Sequence, residues 1–317
     1  MFSVIMPLYN KEPYVARAIG SVLGQTCQNW ELVVVDDCST DRSATVVEGF
    51  DDPRIRFVGL ESNVGAAAAR NHGVALSRGQ WLTFLDADDW WEPTFLDEMA
   101  GLVERYPTAG IYGSGYFISK NSRRHVAPVG VESGFEEGQV DYCKIYAKTL
   151  CMPLCTGAVC LSRQVFDSAG GFAEGIALGE DFLLWLPIAL SHSVVLLNKP
   201  LSNYNQDSDP TFRGTARLHP PERHMLWQLR QYEPLEASNP SYKRLVDGLR
   251  LYGLLPYLVE SRYREAARRE LAKVDWASQP RHIRFLYRLP WWLLGLRQRL
   301  LRVGSNVKQA FVRCLSR

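Results

Sequence analysis

Three carboxylates close the run Trp81-Leu82-Thr83-Phe84-Leu85-Asp86-Ala87-Asp88-Asp89, directly behind an apolar stretch with the pattern of a buried strand. On an extended backbone Asp86 and Asp88 fall on the same side, where two like charges are costly unless something positive sits between them. A hard divalent cation suits that position. Magnesium or manganese binds oxygen, takes one or two carboxylates, and leaves its other positions to water and substrate phosphates. The same residues also read as a turn or a helix cap, since Pro93 suits a first helical turn and Asp97 and Glu98 its early part. A calcium loop of the EF-hand type fits poorly, because Trp91 would stand where that loop needs glycine.

Two further acidic pairs have the same character. Asp36-Asp37 ends the apolar run Glu31 to Val35, and Glu180-Asp181 opens an apolar, helix-like run to Leu190. Acids at a helix start are favoured by the dipole whether or not they do chemistry, so a plain cap is the competing reading there. Asp36 and Asp37 could likewise form an Asx turn with Ser39 and Thr40, capping a helix that starts near Asp41.

The elements that must position these groups alternate. Phe2 to Met6, Glu31 to Val35, Arg54 to Val58 and Trp81 to Leu85 read as strands; Tyr14 to Leu23 and Gly65 to Leu76 read as helices. That alternation favours a parallel α/β sheet covered on both faces. Ligands of such sheets gather outside the carboxyl ends of the strands, which brings Pro7-Leu8-Tyr9-Asn10, Asp36-Asp37 and Asp86-Ala87-Asp88 to one crevice. No dinucleotide glycine fingerprint follows the first strand, and there is no phosphate-binding Gly-Lys-Ser/Thr loop. Simple dehydrogenases and P-loop enzymes are therefore disfavoured. Further on, Ala109 to Ser119 and Ser193 to Leu197 read as strands and Glu180 to Leu190 as a helix. From about Thr215 the pattern is helical, so we expect one domain over 1–214 and a helical extension over 215–317.

The 317 residues carry a formal charge of only +2, unevenly spread. Residues 281–317 hold nine Lys/Arg and no Asp/Glu, leaving 27 Lys/Arg against 34 Asp/Glu elsewhere, a net of −7. A neutral-to-acidic body with a basic end can meet an anionic surface through that end. Seven scattered cysteines predict reduced thiols and a cytoplasmic setting. Cys151, Cys155 and Cys160 lack the paired spacing of a zinc site. No basic segment precedes an apolar run of signal length at Met1, so no export signal is expected.

Taken in order, Val4-Ile5-Met6-Pro7-Leu8-Tyr9-Asn10, Glu31 through Asp41, Asn63-Val64-Gly65 through Ala69-Arg70-Asn71, Asp86-Ala87-Asp88-Asp89 and Gly179-Glu180-Asp181 resemble the inverting, nucleotide-sugar-dependent glycosyltransferases of family 2. The resemblance covers roughly residues 2–205, and the helical remainder matches only that family's habit of variable extensions. It implies a GT-A fold: an α/β domain with a Rossmann-like, mostly parallel central sheet flanked by helices, followed by a helical C-terminal extension. It implies donor binding by Pro7, Tyr9, Asp36, Asp37, Arg70 and Asp86, with Tyr9 on the nucleobase and Asp36 or Asp37 accepting from its ring N–H. Arg70 would lie near the base or the diphosphate; from its own surroundings it reads equally as an exposed helix arginine.

In the same resemblance Asp86-Ala87-Asp88 is the DXD motif. Asp88 is then the principal ligand of Mn2+ or Mg2+, with Asp86 toward the ribose and metal and Asp89 left to cap the next helix. Asp181 becomes the general base and Glu180 its support or an acceptor contact. Gly157 and Gly170-Gly171-Phe172 fit the acceptor pocket or ordinary turns. Trp90 and Trp91 could stack on sugar or pack in the core, and His72 is given no chemistry.

The stretch Arg281 to Arg297 mixes aromatics with arginines. Its uncharged run, Leu289 to Leu296, is far below the roughly 20 residues needed to span a bilayer. A helix from Pro290 would put Trp292, Leu293, Leu296, Leu300 and Val303 on one face, the composition of an interfacial helix on anionic lipid; docking on the catalytic domain is the alternative. No nucleic-acid module accompanies these basic residues, and we expect no nucleic-acid partner.

The sequence thus predicts a metal-dependent, inverting hexosyltransferase. Its donor is a nucleotide sugar, expected to be a UDP-sugar, and its acceptor a saccharide or lipid-linked saccharide in cell-surface polysaccharide or glycolipid synthesis. The place is the cytoplasm, peripherally on the inner face of the cell membrane. The chain lacks the Gln-x-x-Arg-Trp signature of processive synthases, so one or a few sugars are added. The rivals are a sugar-phosphate nucleotidylyltransferase, whose glycine-rich, Arg-containing loop has no counterpart after the first strand, and a noncatalytic carbohydrate- or membrane-binding protein of the same fold.

Overall fold

Strand β1 (Phe2–Leu8) is buried along its whole length, as an unbroken apolar run requires when both faces of a sheet are covered. Its neighbours β2 (Trp30–Asp36), β3 (Ile55–Gly59) and β4 (Trp81–Phe84) complete a parallel core in the order β3-β2-β1-β4. Alternate residues point to opposite faces. Ile5, Val33 and Val35 join one apolar cluster, while Val4, Met6, Leu32 and Val34 join the other. Structure is described for residues 1–121, 123–208, 217–290 and 293–294 of this computed structural model.

Beyond β4 the sheet becomes mixed. Strands β5 (Trp90–Trp91), β6 (Ile111–Lys120), β7 (Arg123–Val126), β8 (Glu137–Val140), β9 (Val159–Ser162) and β10 (Val194–Asn205) continue it in the order β4-β9-β6-β10-β5, with β7 on β6 and β8 on β10. β9 enters antiparallel to both β4 and β6. β10 runs eight residues past the predicted Leu197 by tolerating a register shift around Pro200, where the missing N–H would otherwise cost a ladder bond.

Helices α1 (Val15–Leu23), α2 (Ser43–Glu48) and α4 (Phe95–Arg105) bury their apolar stripes on one face. On the other lie α3 (Ala66–Leu76), α5 (Tyr142–Thr149), α6 (Arg163–Ser168) and α7 (Glu180–Ser191). The alanines of α3 let it approach the sheet closely. A Cβ on Gly73 would stand 2.6 Å from Ile5 Cγ2 and 3.1 Å from Val35 Cγ2, so the site-bearing helix sits against β1 and β2 with no room for a methyl group.

The helices that follow are α8 (Met225–Gln228), α9 (Leu235–Ser238), α10 (Pro240–Gly253), α11 (Leu255–Val259), α12 (Arg264–Leu271) and α13 (Arg281–Arg288). They share the α3–α7 face of the core. α10 packs against α5, and Ser241 Oγ donates to Asp141, the N-cap of α5, at 2.7 Å. The buried Arg250 guanidinium donates to both oxygens of Glu236 at 2.6 and 2.8 Å. This group also braces the site: Ala177 N–H donates to Arg223 O at 2.8 Å and Met225 N–H to Leu178 O at 3.0 Å, fixing the loop that enters α7.

Of the predicted basic tail, Arg281 to Pro290, Leu293 and Leu294 are described. Ile283 and Leu294 are buried, the Tyr287 hydroxyl donates to Leu251 O, and Phe285 is exposed. Trp292, Leu296, Leu300 and Val303, on which the interfacial face depends, lie outside the described residues. Among the described residues no helix is long and apolar enough to cross a membrane.

Candidate active site

Register brings the first two motifs together. Leu8 pairs with Asp36 at the carboxyl ends of β1 and β2, and the chains beyond are laced to each other. Asn10 adopts a φ of 51°, which asparagine tolerates better than most residues. Its N–H donates to Ser39 Oγ at 3.0 Å and its Oδ1 accepts from Thr40 N–H at 2.7 Å. Lys11 N–H donates to Ser43 Oγ at 2.8 Å. Asp36 accepts from the Ser39 hydroxyl and N–H, three residues on rather than the two of the expected Asx turn, and Asp41 accepts from Ser43 N–H at 2.9 Å at the start of α2. Asp37 reaches farther: its two oxygens accept from Val64 and Gly65 N–H at 2.6 and 2.8 Å and fix the entry to α3. Pro7 is buried inside β1, and Tyr9 follows half-buried at the same sheet edge.

The acidic run departs from its predicted geometry. β4 ends at Phe84, and Asp86 to Asp89 form a turn closed by Asp89 N–H donating to Asp86 O at 2.9 Å. Strand alternation therefore does not align Asp86 with Asp88. Each has its own cation instead. Arg70 Nη2 lies 2.6 Å from Asp86 Oδ1, and Lys11 Nζ 2.6 Å from Asp88 Oδ2. Arg17 stacks 3.6 Å above the Trp90 ring and donates to Asp88 O at 3.2 Å.

Asp89 does not cap α4, whose N-cap Thr94 makes no side-chain cap bond. The turn sends it inward, 2% exposed, to accept from Asn205 N–H at 2.8 Å. Burial, then the neighbouring Asp88 and Asp86, holds its carboxyl well above the usual range.

On the other side of Arg70, α7 begins after Gly179, whose φ of +85° and contact with Met225 leave no place for a Cβ. Glu180 Oε1 accepts from Arg70 Nη1 at 3.1 Å. Asp181 is half-buried and accepts from Phe182 N–H at 2.7 Å and Thr156 Oγ1 at 3.2 Å. Burial and the adjacent Glu180 raise its pKa to about 7, the range in which a carboxylate serves as a general base near neutrality.

Arg70 is thus not an exposed helix arginine. Its side chain is 4% exposed and spans the acid turn and the start of α7. Burial opposes its charge, yet Asp86 and then Glu180 raise its pKa above the ordinary value. The neighbouring Asn71 side chain donates to Phe172 O and accepts from Phe172 N–H, both at 2.9 Å, next to Gly170 and Gly171 with φ of +83° and +73°. These glycines serve a turn held by Asn71. Trp91 is core, stacked on Phe95 with its Nε1 donating to Gly157 O at 2.6 Å. His72 is exposed.

Sequence reasoning missed Lys11, Arg17 and Thr156. Lys11 carried a usable signal: it directly follows Asn10, at the strand end facing an acid turn short of positive charge.

The acid turn suits a hard cation by the chemistry of its donors. Asp86 and Asp88 offer only oxygen, their side chains are 34% and 14% exposed, and each has one oxygen engaged by a cation of the chain. Among the described residues no set of three His, Cys, Asp or Glu forms a cage. A magnesium or manganese ion there would draw its remaining ligands from water and substrate.

The description "Glycosyl transferase family 2" matches residues 3–155. An Escherichia coli protein, the UDP-Glc:alpha-D-GlcNAc-diphosphoundecaprenol beta-1,3-glucosyltransferase WfgD, is 32% identical over 200 residues, 62% of this chain and 73% of that protein. The chain spans 43% of the length of each of two further relatives, from Bacillus subtilis and Escherichia coli. Among solved structures, S. aureus TarS 1-349 in complex with UDP-GlcNAc superposes with a TM-score of 0.72 at 20% identity, covering 89% of this chain and 82% of that one. The mannosyltransferase PcManGT from Pyrobaculum calidifontis, in complex with GDP-Man and Mn2+, gives 0.55 at 17% identity over 97% and 82%. These likenesses establish the GT-A type fold.

Proposed function

The chain belongs to glycosyltransferase family 2, and from that premise we propose that it transfers one sugar from a UDP-sugar to a hydroxyl of a saccharide or lipid-linked saccharide, with inversion at the anomeric carbon. The observation that carries this reading is the Arg70 bridge. One buried guanidinium ties Asp86, on the donor side, to Glu180, beside a carboxylate whose pKa is about 7.

In this reading Pro7, Tyr9, Asp36 and Asp37 line the nucleobase site. Asp36 or Asp37 accepts from the ring N–H in addition to its turn bonds, since each carboxylate oxygen has more than one acceptor direction. Asp88, assisted by Asp86, would hold Mn2+ or Mg2+, which neutralises charge on the departing nucleoside diphosphate. Asp181 takes the acceptor hydroxyl's proton as the new C–O bond forms and the sugar–phosphate bond breaks, its electron pair leaving with the diphosphate. Thr156 orients Asp181, and Glu180, held by Arg70, supports it or meets the acceptor. No covalent intermediate is required.

The ligands named for TarS and PcManGT support a nucleotide-sugar donor and a divalent cation, and the acceptor named for WfgD supports a lipid-linked saccharide. We assign transfer to 1–214 and a supporting role to 215–317, whose basic tail would hold the enzyme peripherally on the cytoplasmic membrane face in cell-surface polysaccharide or glycolipid synthesis. Proton NMR of the first product tests the displacement. An α-linked donor should yield a β-linked product; retention of configuration would reject it.

A further inference from the structure

Lys11 sits where an incoming cation must bind. Its ammonium is 2.6 Å from Asp88 Oδ2, and the two side chains are only 16% and 14% exposed. Its backbone is held from behind, by Ser43 Oγ and by the Asn10–Thr40 bond just before it. A lysine carries its ammonium on a flexible four-carbon stem and, unlike an arginine fork, can turn its charge to a new partner without matching a fixed plane.

Arg70 has no such freedom, because leaving Asp86 would also disturb its bond to Glu180. The turn does not depend on Lys11 for its shape. Arg17, stacked on Trp90, holds the Asp88 carbonyl, and Asp89 N–H closes the turn on Asp86 O.

A divalent cation arriving alone at Asp88 must therefore displace an ammonium and leave it close to a second positive charge. A cation arriving with a diphosphate brings the anion that the ammonium needs. We propose that Lys11 is a counter-ion switch: it neutralises Asp88 in the empty site and passes to the nucleotide's diphosphate when a divalent cation takes Asp88, making cation and nucleotide binding interdependent. This rests on reading Asp88 as the cation ligand.

The test follows Mn2+ binding to the full chain by the EPR signal of free Mn2+, with and without saturating UDP, in wild type, Lys11→Met, Lys11→Gln and Asp88→Asn, each first checked for folding by circular dichroism. Wild type should bind Mn2+ about tenfold more tightly with UDP than without, within the usual range of coupling between sites. Lys11→Met and Lys11→Gln should each bind Mn2+ without UDP about tenfold more tightly than wild type and lose most of the UDP effect. Unchanged Mn2+ affinity without UDP in both Lys11 variants overturns the switch, and if Asp88→Asn abolishes Mn2+ binding, the cation site itself stands. Should Asp88→Asn bind Mn2+ and UDP as wild type does, the cation assignment fails and the switch with it.

Discussion

An Asp181→Asn enzyme should lose about 10²- to 10⁴-fold in turnover, the range expected when a positioned base is removed, while still folding and binding donor. Asparagine keeps the shape, accepts from Phe182 N–H through its carbonyl oxygen and can donate its amide to Thr156 Oγ1, which turns from donor to acceptor, but it cannot take a proton. The pH profile gives a second signature. Burial and Glu180 raise the Asp181 pKa to about 7, so the wild-type rate should rise with pH through that value as the carboxylate ionises, and the variant's residual rate should lack that rise.

Stability moves the other way. The folded protein holds this proton where the unfolded chain, with an ordinary carboxylate, has released it. That contribution is therefore lost as pH rises from the carboxylate range through about 7. Above pH 7 the asparagine variant should be at least as resistant to urea as wild type. Turnover within a few-fold of wild type would reject Asp181 as the base.

Replacing Arg70 by Met should damage both fold and chemistry. Removing one partner of a buried ion pair costs about 3–5 kcal/mol when the orphaned charge stays dry. Here Asp86 and Glu180 are 34% and 22% exposed and can rehydrate in part, which brings the expected loss to about 2–3 kcal/mol, read from the urea midpoint. Arg70→Lys should recover part of that stability and less of the activity, because a single ammonium cannot span both carboxylates as the fork does. Full turnover in Arg70→Lys would contradict the bridge as a positioning element.

The parallel core was legible because it is covered on both faces, and such strands are written as apolar runs bounded by polar turns, as in β1 and β2. The place of its acidic residues was legible for a related reason: strand-end carboxylates at Asp36-Asp37 and Asp86-Ala87-Asp88 fall on one edge once the sheet is parallel. The detail beyond that edge is set by contacts far away in sequence. Whether Asp86 to Asp89 continue as strand or turn depends on Asn205, whose N–H takes Asp89 inward. Arg70 gives no local sign that its partner is Glu180. The short strand β9 was missed because four residues carry too little pattern to separate a strand from the loop around Gly157, yet it carries the sheet from its parallel half to its mixed half. The Lys11–Asp88 pair is hard to read from the sequence because a divalent cation accounts equally well for the positive charge that the acid turn needs.

Calorimetric titration of the purified chain with UDP, GDP, ADP, CDP and dTDP, each with Mn2+ and again with excess EDTA, probes the proposed donor site directly. UDP should bind most tightly, EDTA should weaken its binding about tenfold or more, and Asp88→Asn with Mn2+ should behave as wild type does with EDTA. Failure of every nucleoside diphosphate to bind in either condition would contradict that site.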